Sequence, residues 1–234
     1  MWLRGHRRSR VGRWIVAAAG LGVLGVAAAG VGDPYRQTRE FRQVVACEKE
    51  GGGCFVKEAA TITGRTTYKT TSTTTDAEGN TTTTTTTHYK VSWRRADGSA
   101  DSSDVSSGFY RKATRGQPAT LRLWRGEVVG VEVTGADEWF LPKASGALAF
   151  WLYLAHAGLG LLLWGLLFGW WDGFFSLTFR VFAWAFLGVV PVAMATHAMA
   201  YGWPAAVNLV VAAVVCLFFM GIAGAMLVES LDGL

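Results

Sequence analysis

The chain has 234 residues, 51% hydrophobic and 17% charged, with 29 Gly, 11 Trp and a mean hydropathy of +0.27. Soluble domains carry about 25% charged residues, and the long apolar runs here fall only in residues 14–32 and 145–228. That pattern excludes a single globular domain, a disordered chain and a nucleic-acid module, and makes a multi-pass membrane protein the expected class.

The first 13 residues hold Arg4, Arg7, Arg8, Arg10 and Arg13 and no acid, which accounts for the whole net charge of +5. Residues 33–143 carry 16 Lys+Arg against 14 Asp+Glu, and the remainder has one Arg and three acids. An arginine cluster just before an apolar run stays on the cytoplasmic side during insertion. We read residues 1–13 as a cytoplasmic basic tail that sets topology, in preference to an anionic-lipid site.

Residues 14–32 contain no charge, and 19 residues just cross a hydrocarbon core of about 30 Å. Ala27-Ala28-Ala29 offers a signal-peptide cleavage pattern, but signal h-regions run about 7–15 residues, so an uncleaved first span is favoured. Further spans are expected at 147–170, 181–200 and 205–228, with a short tail at 229–234. This order returns the C-terminus to the cytoplasm and leaves 33–143 outside. Gly158, Gly165 and Gly169, with Gly221 and Ala225, have the small-residue spacing that lets helix backbones approach closely. Their use is packing within the bundle or, as the alternative, oligomerisation.

The 33–143 segment is long enough for one small domain. Cys47 and Cys54 flank Glu-Lys-Glu-Gly-Gly-Gly, a spacing that fits a disulfide on the oxidising side of a membrane. No His or third Cys lies near enough in sequence to complete a metal shell. Cys216, inside the last span, reads as a small buried apolar residue. Two Thr-dominated runs, 61–75 and 81–91, are separated by Asp76-Ala77-Glu78-Gly79-Asn80. β-Branched Thr suits extended strands, and the separating residues suit a turn, so a long hairpin is expected. A mucin-like stretch is disfavoured by the absence of Pro. Residues 94–98 are expected to turn and 105–112 to form a strand. Leu121 to Val133 should form a hairpin, its apolar parity requiring an odd loop around Arg125-Gly126-Glu127, not a two-residue loop. The expected fold is four transmembrane helices with a small antiparallel β-barrel or curled sheet inserted between the first two.

Tyr89-x-Val91-x-Trp93, Gly98, Tyr110, Gly116 and Thr120-Leu121-x-Leu123-Trp124-x-Gly126-x-Val128-Val129 resemble a family of bacterial membrane proteins. It is the domain-of-unknown-function family numbered 3592, and the similarity covers about residues 60–135. Where many members show an aromatic-Asp-Pro element, Trp124-Arg125-Gly126 stands here. The resemblance implies a small β-module between membrane helices in a bacterial cell membrane, and no reaction. The preference for Arg over Lys, with abundant Ala, Gly and Val, fits coding from a high-GC bacterial genome.

No P-loop, nucleophile elbow, zinc-protease helix or C-x-x-C pair is present. Two histidines fall in expected spans: His156 near the middle of the second and His197 towards the outer end of the third. Ionisable groups at membrane depth are functional candidates. Two such histidines would ligate haem or relay protons, although their depths differ by about five residues, or ~7–8 Å. The plainer reading has each hydrogen-bonded to a neighbouring helix or reaching interfacial water. The expected protein is therefore non-enzymatic and without a cofactor. Its outer domain binds a protein or envelope partner, its bundle sits in the lipid bilayer, and oligomerisation is open. A small redox or transport-associated protein using His156 and His197 is the alternative.

Overall fold

The computed structural model describes residues 3–75, 79–167 and 174–202, together with isolated helical positions at 210, 213, 214, 217, 218 and 221. The chain divides into two compact units, Met1–Ala46 with Lys143–Leu234, and Cys47–Pro142. Three helices are long and apolar enough to cross a membrane: Val11–Glu50, Lys143–Leu166 and Val181–Tyr201. The expected fourth span at 205–228 lies largely outside the described residues.

In the helical unit, α1 (Leu3–Glu50), α3 (Lys143–Leu167) and α4 (Phe174–Tyr201) pack through small residues. A Cβ added at Gly20 would lie 2.5 Å from the Leu162 amide nitrogen, and one at Gly165 would lie 2.7 Å from that of Ala17. Gly158 faces Val23 and Leu24, Gly30 faces the Trp151 indole, and the Thr38 and Ser145 hydroxyls meet at 3.4 Å. As α1 numbers rise along this seam α3 numbers fall, so the two helices are antiparallel. Backbones this close gain dispersion contacts that branched side chains, no more apolar than lipid, would not supply.

The sequence reading begins the outer domain at residue 33, but α1 continues through Pro34 to Glu50. Asp33 accepts from Gln37 and pairs with Arg36, the i,i+4 and i,i+3 supports of a continuing helix. Thr38, Phe41 and Val45 extend the buried stripe of Ala17, Gly20 and Ala27 at helical spacing.

The second unit is built on one six-stranded antiparallel sheet in the order β3-β2-β1-β4-β5-β6. Its strands are β1 (Val56–Thr75), β2 (Thr81–Arg95), β3 (Ala100–Val105), β4 (Pro118–Trp124), β5 (Glu127–Val133) and β6 (Ala136–Trp139). The sheet is open, so the barrel alternative does not hold. The edge strands carry Asp101 and Asp104 on β3 and Asp137 and Glu138 on β6, charges that discourage an edge from pairing.

Ile62, Val91, Trp93, Leu121 and Val131 form the fully buried face, joined by Phe109 and Ala113. Those last two correct the strand expected at 105–112, because residues 107–112 form a short helix, α2 (Ser107–Lys112). Ser106 caps it by accepting from the Phe109 amide, and Glu138 holds the Ser106 amide and hydroxyl. The Ala113 amide donates to the Phe109 carbonyl, closing the turn from which both residues reach the core.

The β4–β5 turn also differs from expectation. Trp124 pairs with Glu127, so the loop is the two residues Arg125 and Gly126, both at positive φ (53° and 79°) as a type I′ turn requires. The odd residue needed by the apolar parity enters as a bulge beyond the turn, where Arg122 pairs with Gly130 but Leu123 with Val128. The bulge releases Val129, whose carbonyl accepts the Phe140 amide.

Candidate functional site

The sheet unit contains a polar centre that no motif announced. Arg122 points to the face opposite the apolar core, over Gly130, where an added Cβ would lie 3.5 Å from the arginine stem. Its side chain is 11% exposed and donates to Glu132 at 2.8 Å, with Glu48 at 3.9 Å and Asp137 at 4.0 Å. The guanidinium carbon lies 4.7 Å from the Trp139 ring centre, and Phe55 packs on that ring. Glu48 also meets Lys57 at 3.2 Å and accepts the Cys54 amide at 3.0 Å. Cys47 and Cys54 are joined as a disulfide with Cα atoms 6.0 Å apart. Bridge and arginine together hold the last turn of α1 and the loop after it against the sheet. A desolvated cation surrounded by acids and an aromatic face is an ordering device.

The second distinctive feature is the far half of the β1–β2 hairpin. β1 pairs with β4 only as far as Thr61, with one further turn of bonding between Ile62 and Gly116-Gln117. β2 pairs with β3 only from Tyr89 to Arg94. Beyond those points β1 and β2 pair with each other alone, from Tyr68↔His88 to Thr75↔Thr81. This is a two-stranded ribbon about 27 Å long at ~3.4 Å per residue. Every residue in 66–75 and 81–87 is exposed. Isolated two-stranded ribbons are marginal in water, so clusters at the base bear on its order.

On one face the Tyr68 hydroxyl donates to Asp104 at 2.8 Å, His88 stacks on the Tyr68 ring at 4.7 Å, and Lys90 lies 5.7 Å from that ring's centre. The hydrogen bond that the phenol donates to the Asp104 carboxylate pushes Tyr68 above its usual pKa. Thr70 Oγ1 and His88 Nε2 are 2.8 Å apart, a hydroxyl–imidazole pair on the open face of the ribbon. On the other face Arg65 lies over the Tyr110 ring and donates to the Tyr110 carbonyl, while Tyr89 packs against the same ring. Arg95 grips Glu58 through two nitrogens at 2.6 and 3.0 Å, and this hydrogen-bonded pairing lowers the Glu58 pKa. The aromatic and charged residues at the base stood in the sequence as an alternation of Tyr, Lys, His and Arg. The alternation fits strand faces, but which side chains meet depended on register.

The two intramembrane histidine candidates are not brought together. His156 on α3 donates from Nε2 to the Trp184 carbonyl at 2.8 Å, and Trp184 on α4 donates from its indole to the His156 carbonyl at 2.9 Å. A carbonyl only accepts, so the proton is on Nε2. The two rings stack at 4.5 Å. Beneath each ring is a glycine of the opposite helix: Gly188 under His156 and Gly160 under Trp184. His197 is exposed, packs near Tyr201, and lies nine residues past Gly188, about 13 Å along the axis. Among the described residues no group of three or more His, Cys, Asp or Glu side chains is placed to hold a metal ion.

Of the topology arginines, Arg13 donates to the Gly165 and Leu166 carbonyls at the end of α3, and the side chains of the other four lie outside the described residues. Gly158 and Gly165 are packing positions, while Gly169 and Ala225 fall outside the described residues. Gly221 meets no described neighbour within 4 Å. Gly20, Gly30, Gly160 and Gly188 carry closer contacts, and of these only Gly160 and Gly188 stand four positions after a ring residue, His156 and Trp184. The protein thus combines a unit of membrane-length helices with an open antiparallel sheet. No protein family, curated protein or solved structure matches the chain.

Proposed function

We propose that the chain is a four-span integral membrane protein of the bacterial cell membrane, spanning at 14–32, 147–170, 181–200 and 205–228. Both termini are cytoplasmic, and the sheet unit lies outside the cytoplasm and binds a protein or envelope partner without catalysing a reaction. The arginine-rich start, the disulfide and the resemblance of residues 60–135 to family 3592 support this topology. Arg13 at the last carbonyls of α3 is what two consecutive spans of opposite direction require. The observation that carries the binding role is the ribbon, ordered at its base and exposed along both faces. A hydroxyl-rich surface of this kind offers contacts to a macromolecule and encloses no small substrate.

The test compares the tagged full-length protein with a variant in which Asn-Gly replaces residues 68–88, joining Thr67 to Tyr89. Formation of the Cys47–Cys54 bridge reports that the remaining sheet unit folds. Proteins or glycans cross-linked in intact cells to the parent should be lost from the variant. An unchanged set of products would overturn the reading.

A further inference from the structure

The sheet proper carries acids on its edge strands, but the ribbon does not. From Gly64 to Thr75, β1 pairs with β2 on one side and has no partner strand on the other among the described residues. The lane beside it is the one that β4 occupies as far as Pro118 opposite Thr61, ending in the bonds between Ile62 and Gly116-Gln117. Residues 66–75 are all exposed, and Thr70 to Thr75 hold no charge and no proline. Alternate residues of such an edge turn both amide and carbonyl outward, a template for another strand.

The charges around this edge select its occupant. Residues 59–75 contain Arg65 and Lys69 and no acid. Residues 105–126, which run through α2 and the turn into β4, contain Arg111, Lys112, Arg115, Arg122 and Arg125 and no acid. Arg115 is exposed in the turn that bonds to Ile62, and Arg65 stands over the Tyr110 ring, next in sequence to Arg111. Asp101 and Asp104 belong to β3, across β2 from this edge, and Asp76 and Glu78 come only after Thr75 in sequence. Cations therefore gather where the open edge begins, and its outer half is neutral. We propose that the β1 edge takes an extended acidic segment of another protein by strand addition. Antiparallel to β1, that segment lies in line with β4 and brings its C-terminal residues to Arg65, Lys69 and Arg115, so its acids belong at that end. A polyanion without amides would meet the same cations but has no N–H donors for the outward carbonyls. The inference rests on the binding role assigned to the ribbon and names the class of partner.

The test uses purified full-length protein in lipid nanodiscs, the Cys47–Cys54 bridge intact. The probe is a fluorescein-labelled peptide of alternating Val and Thr, long enough to span Gly64–Thr75 and ending in Glu-Asp-Glu with an amidated C-terminus. Fluorescence anisotropy should show saturable binding. Probes with the acids at the N-terminal end, or with Gln-Asn-Gln in their place, should bind at least tenfold more weakly. Lys69→Glu with Arg115→Glu should weaken the acidic probe at least tenfold, and a probe ending in Lys-Arg-Lys should bind that variant instead. N-methylation of every second probe amide should abolish binding in one phase and spare it in the other, because only alternate amides face the edge. Equal binding of the two methylated probes, as from charge attraction alone, would overturn the proposal, as would binding indifferent to the acids or no binding at all. Should the probes fail while cross-linked products are still lost from the variant lacking residues 68–88, the partner-binding reading survives and the acidic strand fails. Persistence of those products with no probe bound would remove both.

Discussion

The reciprocal seat of His156 and Trp184 over opposing glycines gives the sharpest test of the helical unit. In Gly188→Ala the new methyl would lie 2.6 Å from His156 Nε2 and 2.9 Å from its Cγ, so the imidazole must leave. Leaving forfeits an interhelical hydrogen bond worth about 0.6–1.7 kcal/mol and a ring stack worth about 0.5–1.5 kcal/mol. Residual overpacking of about 1–3 kcal/mol applies wherever the ring cannot clear the methyl. The expected cost is about 2–4 kcal/mol. In a His156→Ala background the ring that blocks the methyl is gone, and the same substitution should be neutral or stabilising by up to about 1 kcal/mol, since alanine is the better helix former. Reversible unfolding of the four proteins in mixed micelles, followed by far-ultraviolet circular dichroism, gives the coupling directly. Equal costs in the two backgrounds, within about 0.5 kcal/mol, would refute the packing argument.

Substitution of Arg122 by Met keeps much of the stem volume but removes the guanidinium from among Glu132, Asp137 and the 10%-exposed Glu48, which keeps only Lys57 and the Cys54 amide as partners. Glu132 and Asp137 are half exposed and count for less. A loss of about 1–3 kcal/mol is expected in denaturant titration, and no loss would mean the network does not order the unit. The Glu58–Arg95 pair predicts a pH dependence. Because Arg95 lowers the folded Glu58 pKa beneath the ordinary 4.5, its contribution is complete above that value and disappears as pH falls through the lower one. Glu58→Gln should therefore be less stable than the parent at neutral pH and converge with it in acid; a difference that persists in acid would contradict the assignment. Cys47 and Cys54 should resist an impermeant maleimide on intact cells until a reductant is added, and the reduced unit should lose about 2–3 kcal/mol of stability. Labelling without reductant would contradict the bridge.

The Thr hairpin and the Cys47–Cys54 pairing were legible because each depends on residues close in sequence: β-branched runs around a polar turn, and two thiols around three glycines. The 105–112 segment was misread because Val105, Phe109 and Tyr110 satisfy a strand pattern as readily as a turn of helix. The Ser106 cap that decides between them is fixed by Glu138, 32 residues away. At the β4–β5 turn the parity argument correctly demanded one extra residue. The positive φ of Arg125 and Gly126 placed that residue in the strand instead of the loop. Continuation of α1 beyond Gly32 was written in the spacing of Thr38, Phe41 and Val45, but polar residues around that stripe made the segment read as part of the outer domain.

By itself the sequence determined the class of the protein, its division into apolar helices and a Thr-rich sheet, and its charge asymmetry. Hydropathy, β-propensity and charge are sums over neighbouring residues, and they survive without knowledge of the fold. Only the tertiary structure decided that Arg122 is enclosed by acids, that His156 locks onto Trp184, and that the β1–β2 ribbon outruns the strands beside it. Each of those depends on residues 10 to 74 positions apart meeting in one register. A glycine announces nothing about the ring it will seat until the opposing helix is in place.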